Sequence, residues 1–434
     1  MSEPASPLDT PPSPVAAPTK PRLLRFLGPG LITGASDDDP SGIATYAQAG
    51  AQFGYALSWT LVLTWPLMVA TQMVSARIGR TTGHGIAGVL RLHYPAWLLQ
   101  TLVFLLLVAN ILNLGADLGA MADATGLLID APRPLLVILY GAICIYLQIF
   151  LQYTRYVSVL KWLSLTLLSY LACVAVVRVD WEALARSIVV PALSLDAAYL
   201  TTVVAVLGTT ISPYLFFWQS AEEAEDIRAD PRGIDLFDAP EQGADELSRI
   251  EGDTMVGMGF SNLVALAILV TTAATLHASG IFDVQTSAQA ALALRPIAGE
   301  FASLVFALGV VGTGLLAVPV LAGSAAYAIG EARDWPIGLS RRPQEAKAFY
   351  ATITLATIIG VIISLTPVNP IKALYWSAVL NGVTAVPLMV AMMLMASRAD
   401  IMGPFALRGT LRWVGWLATG VMLIAVAAMF AFML

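Results

Sequence analysis

Three consecutive carboxylates lie in an otherwise apolar stretch near the N-terminus of the chain. Asp37, Asp38 and Asp39 are followed directly by Pro40, with glycines on either side of the group. In hydrocarbon an ionised carboxylate is costly unless it faces a cavity, a partner group or a cation. Proline has no amide hydrogen and clashes with the preceding helical turn, so it breaks a helix at this point. The pattern predicts a broken membrane helix whose carboxylates take part in binding a cation.

A second apolar stretch carries a matching interruption. Gly208, Thr209 and Ser212 precede Pro213, which lies near the middle of an otherwise apolar helix. Interrupted helices at corresponding positions of two halves are typical of transporters built from inverted repeats. The backbone carbonyls that such breaks release, together with side-chain oxygens, can coordinate an ion near the bilayer midplane. We therefore expect the two interruptions to face each other.

The elements that would position these residues are membrane helices. The chain has 434 residues, of which 58% are hydrophobic and only 12% are charged, whereas about 25% of the residues of a soluble domain are charged. A helix needs about 20 apolar residues to cross a bilayer. The hydropathy pattern predicts eleven spans, approximately at residues 31–50, 56–78, 97–123, 134–152, 157–178, 197–219, 255–277, 300–330, 348–366, 372–396 and 411–433.

The orientation of the chain is predicted from its basic residues. Residues 1–21 are rich in Pro, Ser and Ala and lack the apolar core of a signal peptide, so we expect a disordered cytoplasmic tail. With the N-terminus inside, 18 of the 23 Lys and Arg residues fall in cytoplasmic segments, which agrees with the positive-inside rule. We predict a multi-pass protein of the cell membrane with an extracytoplasmic C-terminus, which contacts lipid, binds no nucleic acid and is monomeric.

At the level of motifs, the chain resembles the Nramp family of divalent metal transporters. The resemblance spans about residues 22–400 and is strongest in the first two predicted helices. The motifs that carry it are Gly28-Pro29-Gly30 and Asp39-Pro40-Ser41-Gly42 against GPG…DPGN of the family's first helix, residues 72–83 against QxLSAKLGxxTG of the second, Asp117 against the aspartate of TDxAE in the third, Ser212-Pro213-Tyr214 against MPH in the sixth, and Gly314 to Ala317 against GLLA in the eighth.

The resemblance implies an all-α integral membrane protein with a LeuT-like fold. A transporter domain over residues 22–434 would contain two inverted five-helix repeats, at about 31–178 and 197–396, and an eleventh transmembrane helix at about 411–433. Helices 1 and 6 would be the broken ones. An intramembrane enzyme would need a nucleophile with a base or a metal-ligand motif, and the sequence shows neither pairing. We therefore expect a protein that is not an enzyme.

The predicted metal ligands follow from the family pattern position by position. Nramp proteins coordinate metal with an Asp and an Asn from helix 1 and with a Met thioether and a backbone carbonyl from helix 6. Here Asp39 keeps the Asp, Gly42 replaces the Asn, Ser212 replaces the Met, and Thr209 occupies the carbonyl position. Soft sulfur selects softer metals, whereas oxygen ligands suit Mg²⁺, Ca²⁺ and Mn²⁺. The substitutions therefore resemble those of the magnesium-transporting, Nramp-related branch, and the expected cargo is Mg²⁺ or Mn²⁺, with no separate cofactor.

The groups that move protons in the family are also replaced. Tyr214 stands where the family has a His after the helix-6 proline, and Ala120 stands where it has a Glu in helix 3. Tyr has a reference pKa near 10 and is a poor proton carrier at physiological pH. This favours an uncoupled carrier driven by the membrane potential. Two alternatives remain open: a proton-coupled importer of Mn²⁺, Fe²⁺ or a chelated metal, and a Na⁺-coupled amino-acid symporter of the same architecture.

A wider set of polar residues is predicted to bind water around the cation or to line its path. The acidic segment 220–253, with twelve Asp and Glu against three Arg, has two interpretations: a vestibule that attracts cations or a solvated linker. The residues predicted for the path are Asp37, Asp38, Asp117, Tyr214, Glu222, Glu223, Asn262 and Asn381.

Overall fold

The computed structural model describes residues 33–34, 36–150, 165–229 and 233–433. Within these ranges every regular element is an α-helix or a short 3₁₀-helix, and no strand occurs. The predicted N-terminal tail and the Gly28-Pro29-Gly30 motif lie outside the described residues, as does the first part of the predicted fifth span.

We number the α-helices in chain order as follows. They are α1 Pro40–Phe53, α2 Ser58–Thr82, α3 Ile86–His93, α4 Ala96–Gly126, α5 Arg133–Phe150, α6 Leu168–Val176, α7 Trp181–Val189, α8 Ala197–Thr210, α9 Pro213–Ala229, α10 Gly243–Thr275, α11 Ser287–Leu292, α12 Arg295–Ala298, α13 Ala302–Arg333, α14 Lys347–Ser364, α15 Pro370–Ala396, α16 Ala399–Met402 and α17 Gly409–Met433.

The described ranges contain nine helical stretches that are long and apolar enough to cross a membrane. Two facts reconcile this number with the eleven spans predicted from the sequence. The 3₁₀-helix Gly54–Leu57 joins α1 and α2 into one stretch, Pro40–Thr82. The predicted span at residues 157–178 is described only in part. The remaining spans each coincide with a helix or, for 197–219, with the pair α8 and α9.

The helices pack in two groups around one long helix. In the first, which we call the core group, α1 and α2 pack against α10, α8 packs against α1, and α9 packs against α2. In the second, which we call the scaffold group, α4 packs against α5, α13 and α14. Helix α15 contacts α1 and α8 on one side and α4 on the other, so it joins the two groups. The junction of α1, α4, α8 and α15 is therefore the place where broken helices meet the scaffold.

The acidic segment 220–253 is not an extended linker at its two ends. Helix α9 continues to Ala229, and α10 begins at Gly243, so helical residues make up much of the segment. Of the two interpretations, the solvated linker does not describe these ends, because several of their acids have partners. Glu223 is fully buried and pairs with Arg249, whose guanidinium lies 2.5 Å from its carboxylate.

Helices α8 and α15 approach each other closely through glycine. A methyl group at Gly208 would lie 2.2 Å from the carbonyl oxygen of Ala378 and 2.4 Å from the amide nitrogen of Gly382. Both atoms belong to backbone, which cannot rotate away. In membranes, where lipid is as apolar as the helix surface, such small-residue contacts are a main source of helix association.

Gly208→Ala tests this contact. We expect the substitution to force α8 and α15 apart and to cost about 1–3 kcal/mol of stability, seen as a lower midpoint of thermal unfolding for the protein purified in detergent. Gly420→Ala in α17 is the matched control, because no described atom lies within 4 Å of the added methyl group. Both variants gain the same helix propensity of about 1 kcal/mol. Equal midpoints for the two variants would contradict the close approach.

Candidate cation site

The first helix breaks at the second and third aspartates. Residues 36 and 37 are helical, Asp38 lies in a bend, and Asp39 has extended backbone angles of φ −70° and ψ 170°. Helix α1 then begins at Pro40. Its first turn is capped by Asp39, whose Oδ1 accepts a hydrogen bond of 2.6 Å from the amide of Gly42. An aspartate at the N-cap followed by proline is a standard start of a helix, so the break and the restart have one local cause.

The second break faces the first. Helix α8 ends at Thr210, its C-cap residue Ile211 has backbone angles of φ −118° and ψ 61°, and α9 begins at Pro213. A methyl group at Gly42 would lie 3.2 Å from Oγ1 of Thr209. The hydroxyl of Tyr214 donates a hydrogen bond of 3.2 Å to the carbonyl oxygen of Ser36. Contacts therefore join the two interruptions on both sides, as the sequence pattern predicts.

On the second break, the predicted ligands Ser212 and Thr209 are already in contact. The hydroxyl of Ser212 lies 2.8 Å from the carbonyl oxygen of Thr209 and 2.9 Å from that of Gly208, and it donates to these acceptors. A carbonyl oxygen has two lone pairs and a hydroxyl oxygen also accepts. Both predicted oxygens therefore keep acceptor capacity, and both residues are buried, with exposures of 1–2%.

The three aspartates do not converge on one point. All are buried, with exposures of at most 2%. Asp37 and Asp38 both turn to Ser261 in α10, whose hydroxyl lies 2.5 Å from Oδ2 of Asp37 and 3.2 Å from Oδ1 of Asp38. One hydroxyl hydrogen cannot serve both carboxylates fully. Across the described residues no three His, Cys, Asp or Glu side chains form a metal-binding group, so a cation here would rely on other oxygens as well.

Asp39 turns instead toward the scaffold group. Its Oδ2 accepts a hydrogen bond of 2.9 Å from Nδ2 of Asn113 in α4. The carboxamide oxygen of Asn113 in turn lies 2.7 Å from the hydroxyl of Ser377 in α15. Asn113, Ser377 and Ser261 were not among the residues predicted from the sequence. The available signal was a polar residue one turn before Asp117 in an apolar span.

Asp117 lies on the same helix, one turn beyond Asn113. It is fully buried, and within the described part of the chain neither of its carboxylate oxygens has a hydrogen-bond partner of ordinary geometry. Its charge interacts with that of Asp39 and with the amide of Ser41. A buried polar atom without a partner is costly, which is typical of a site that is completed by water or a ligand.

Two predicted asparagines also present acceptor atoms without partners among the described residues. They are Oδ1 of Asn262, next to Ser261 in α10, and Oδ1 of Asn381, one turn beyond Ser377 in α15. Oδ1 of Asp37 also lacks a hydrogen-bond partner among the described residues. The atoms in question are all acceptors, so the groups that would satisfy them are hydrogen-bond donors or a cation.

The acidic residues that follow the second break hold helices together. Glu223 pairs with Arg249 of α10. Glu225 accepts from the amides of Leu339 and Ser340, at 3.1 and 2.6 Å, and from the hydroxyl of Tyr327 in α13. The same hydroxyl lies 3.3 Å from Glu222. These contacts connect α9 to both groups of helices at the predicted cytoplasmic end, while a role of Glu222 and Glu223 in the ion path stays a prediction.

A cavity in the scaffold group does not coincide with the predicted ligands. It has a volume of about 360 Å³ and lies among α4, α5, α14 and α15, with largely apolar walls and Arg133 at one end. Asp39, Gly42, Thr209 and Ser212 are not among its lining residues, but Ser377 is. The cavity therefore reaches the back of the Asn113 and Ser377 pair and stops short of the breaks.

Comparisons with known proteins identify the family. The family model of the natural resistance-associated macrophage protein-like (Nramp) proteins matches residues 30–432. A divalent metal cation transporter, MntH, of Acidiphilium cryptum is 27% identical over 409 residues, which cover 89% of this chain and 85% of the relative.

Two solved structures show the same fold. The manganese transporter of Eremococcus coleocola, in complex with an aromatic bis-isothiourea substituted compound, superimposes with a TM-score of 0.73 at 17% identity, over 96% of this chain and 89% of that one. Mhp1, a nucleobase-cation-symport-1 family transporter, superimposes with a TM-score of 0.52 at 14% identity, over 94% and 92% of the two chains. The predicted LeuT-like architecture is thus confirmed. Since the family model covers nearly the whole length, the chain belongs to the Nramp family.

Proposed function

We propose that this chain carries a divalent metal cation across the cell membrane by alternating access, at a site between the two broken helices. The observation that carries the proposal is the position of Asp39. Its buried carboxylate stands at the first break and has no Lys or Arg partner in the described part of the chain. A buried charge without a counterion is costly, and a bound divalent cation would supply the missing charge.

The relatives support the same class of cargo. The protein from A. cryptum is named a divalent metal cation transporter, and the one from E. coleocola a manganese transporter. Asp39 occupies the position of the metal-binding aspartate in the family's first-helix motif. This likeness favours metal transport over the Na⁺-coupled amino-acid symport that the architecture alone would also permit, because an anionic substrate group would be repelled by Asp37, Asp38 and Asp39.

We assign Mg²⁺ or Mn²⁺ as the favoured cargo on the basis of the ligand atoms. The side chain of Ser212 and the carbonyl of Thr209 offer oxygen where the family pattern has sulfur. Gly42 offers no side chain, and its neighbour Thr209 fills the space in front of it. Mg²⁺ gives up its water reluctantly and is usually held by one or two carboxylates with several waters retained. One carboxylate and a few neutral oxygens match that requirement.

The driving force that we favour is the membrane potential. The hydroxyl of Tyr214 is hydrogen-bonded to the carbonyl of Ser36, so this side chain connects the two breaks, and Ala120 cannot carry a proton. A divalent cation gains about 4.6 kcal/mol per 100 mV. A proton-coupled importer of Mn²⁺ or Fe²⁺ is the second candidate, because the carboxylate of Asp117, which is buried and has no hydrogen-bond partner of ordinary geometry among the described residues, is a group that can bind a proton.

The predicted topology completes the proposal. We propose a cytoplasmic N-terminus and an extracytoplasmic C-terminus, on the basis of the Lys and Arg distribution. The repeats would comprise residues 31–178 and 197–396, with α17 as the eleventh span. A monomer would contain the whole site, since every proposed ligand lies in this chain.

Removal of the central carboxylate tests the function. In proteoliposomes with an imposed inside-negative potential, we expect the wild type to take up Mg²⁺ or Mn²⁺ and Asp39→Ala to lose more than about 100-fold in uptake, since even outer-shell changes cost 10–100-fold. Asp130→Ala, at an exposed residue between α4 and α5, is the matched control and should keep wild-type uptake. Normal uptake by Asp39→Ala would refute the site, and an internal pH change that follows uptake would favour the proton-coupled alternative.

Replacement of Ser212 by methionine, the residue of the family pattern, tests the basis of selectivity between metal ions. We expect Ser212→Met to raise the ratio of Mn²⁺ uptake to Mg²⁺ uptake by about fivefold to tenfold, which corresponds to about 1–1.4 kcal/mol of differential binding, because sulfur stabilises the softer ion. Ser212→Leu has a similar volume without sulfur and should leave the ratio unchanged. The same shift in both variants would assign the effect to size and remove the argument from ligand softness.

A further inference from the structure

Asn113 holds a central position that the family pattern does not explain. It lies in the middle of α4, is fully buried, and contacts a residue of α1 on one side and of α15 on the other. Its Nδ2 lies 2.9 Å from Oδ2 of Asp39, and its Oδ1 lies 2.7 Å from the hydroxyl of Ser377. The carboxamide therefore touches the very oxygen of Asp39 that the N-cap hydrogen bond leaves available.

We propose that Asn113 is a further ligand of the transported cation, and that its carboxamide flips when the cation binds. The flip exchanges the positions of the carboxamide oxygen and nitrogen, and we call the result the turned state. In the turned state Oδ1 would coordinate the cation beside Oδ2 of Asp39. This inference rests on the proposed function, since it assigns one more oxygen to the same site.

The hydrogen bonds around Ser377 permit both states. The single hydroxyl hydrogen of Ser377 has two acceptors at 2.7 Å, the carboxamide oxygen of Asn113 and the carbonyl oxygen of Leu374. In the ion-free state the hydroxyl donates to Asn113, whose Nδ2 donates to Asp39. In the turned state the hydroxyl donates to Leu374, and its oxygen accepts from Nδ2 of Asn113. No hydrogen bond is lost at Ser377, because a hydroxyl both donates and accepts.

With Asp39 ionised, a bound cation is what stabilises the turned state. Turning the carboxamide places its oxygen against Oδ2 of Asp39, and two acceptors in contact repel each other. A cation between them converts that repulsion into two coordination bonds. The orientation of Asn113 would therefore report whether the site is loaded, and the difference between the two states is carried by the cation itself.

The distance fits a small octahedral cation. Mg²⁺ holds its ligands at 2.0–2.1 Å in near-ideal octahedral geometry, so two adjacent ligand oxygens lie about 2.9–3.0 Å apart. The present separation between Nδ2 of Asn113 and Oδ2 of Asp39 is 2.9 Å. Because the two ends of a carboxamide have nearly the same size, turning it would place Oδ1 at about that separation without movement of the backbone. An octahedral Ca²⁺ site, with ligands at 2.3–2.6 Å, would place adjacent oxygens about 3.3–3.7 Å apart.

The same geometry accounts for the absence of the family's asparagine in α1. A side chain at position 42 would start 3.2 Å from Oγ1 of Thr209 and 3.3 Å from the ring of Tyr46. A carboxamide there would displace these neighbours. Asn113 delivers the equivalent group from α4, where Ser377 already orients it.

Two substitutions at Asn113 separate a ligand from a residue that only positions Asp39. We would measure Mg²⁺ affinity by titration calorimetry on the purified protein, and the ratio of Mg²⁺ to Ca²⁺ uptake in proteoliposomes. Asn113→Ala removes both the donor and the oxygen, and we expect a 10–100-fold loss of Mg²⁺ affinity. Asn113→Asp keeps an oxygen and loses the donor, and we expect Mg²⁺ affinity equal to that of the wild type or higher. A positioning role through Nδ2 predicts the opposite, a loss as large in Asn113→Asp as in Asn113→Ala.

Control variants make the result decisive. Asn110→Ala removes a second buried asparagine of α4, whose Nδ2 donates to the carbonyl of Leu321, and should leave the affinity unchanged. If Asn113→Ala does not fold, Ser377→Ala takes its place. It removes the acceptor for Nδ2 in the turned state, and a loss of about fivefold in affinity is expected from one hydrogen bond of about 1 kcal/mol.

The outcomes also distinguish this inference from the proposed function. A wild type that binds no divalent cation, or an Asp39→Ala variant that binds normally, refutes the site as a whole. Asp39→Ala without binding, together with equally weak Asn113→Asp and Asn113→Ala, leaves the site in place and overturns only the assignment of Asn113 as a ligand. Unchanged affinity in both Asn113→Ala and Ser377→Ala overturns it as well.

Discussion

The structure depends on Asp39, whose two carboxylate oxygens accept hydrogen bonds from different parts of the chain. Oδ1 of Asp39 caps the first turn of α1, and Oδ2 accepts from Asn113 in the scaffold group. The first contact is local and lets a helix restart after the break at Pro40. The second is distant and joins that restarted helix to α4. Since both partners are neutral dipoles, they stabilise the charge without cancelling it, and a place for a cation remains.

The other two aspartates connect the break to the core group. Asp37 and Asp38 share the hydroxyl of Ser261 in α10, while Asp39 contacts the scaffold group. In the transport mechanism that we propose, a movement of one group of helices against the other changes the distance between these carboxylates, and a cation at Asp39 reduces their repulsion. Loading of the site would thereby favour one relative position of the two groups over the other.

Local patterns made much of this architecture predictable. Long apolar runs predict spans, and prolines beside polar residues predict breaks, because both effects arise within a few residues of the chain. The contacts that orient the site join residues far apart in the chain, so local patterns do not predict them. Asn113 lies 74 residues from Asp39, Ser261 lies 224 residues from Asp37, and Ser377 lies 264 residues from Asn113. A single Ser or Asn in an apolar helix has no sequence signal that names its partner.

The acidic segment 220–253 also has distant partners that its sequence does not show. Its charge density suggested solvent exposure because a sequence does not show which acids will find partners. In the structure, Glu225 is buried with an exposure of 8% and receives two backbone amides from residues more than 100 positions away. Charged side chains in a membrane protein thus hold helices together when donors arrive from distant segments.

The atoms left without partners bear on how much water the proposed cargo would keep. Oδ1 of Asp37, both oxygens of Asp117, and the carboxamide oxygens of Asn262 and Asn381 lack partners among the described residues, and all of them are acceptors. A bare cation could reach only a few of them at coordination distance. A hydrated Mg²⁺ presents hydrogens on every retained water molecule, and these can donate to acceptors beyond the first coordination shell. In the function that we propose, these acceptors would be complementary to a partly hydrated divalent cation, whereas a fully dehydrated soft metal would leave most of them unsatisfied.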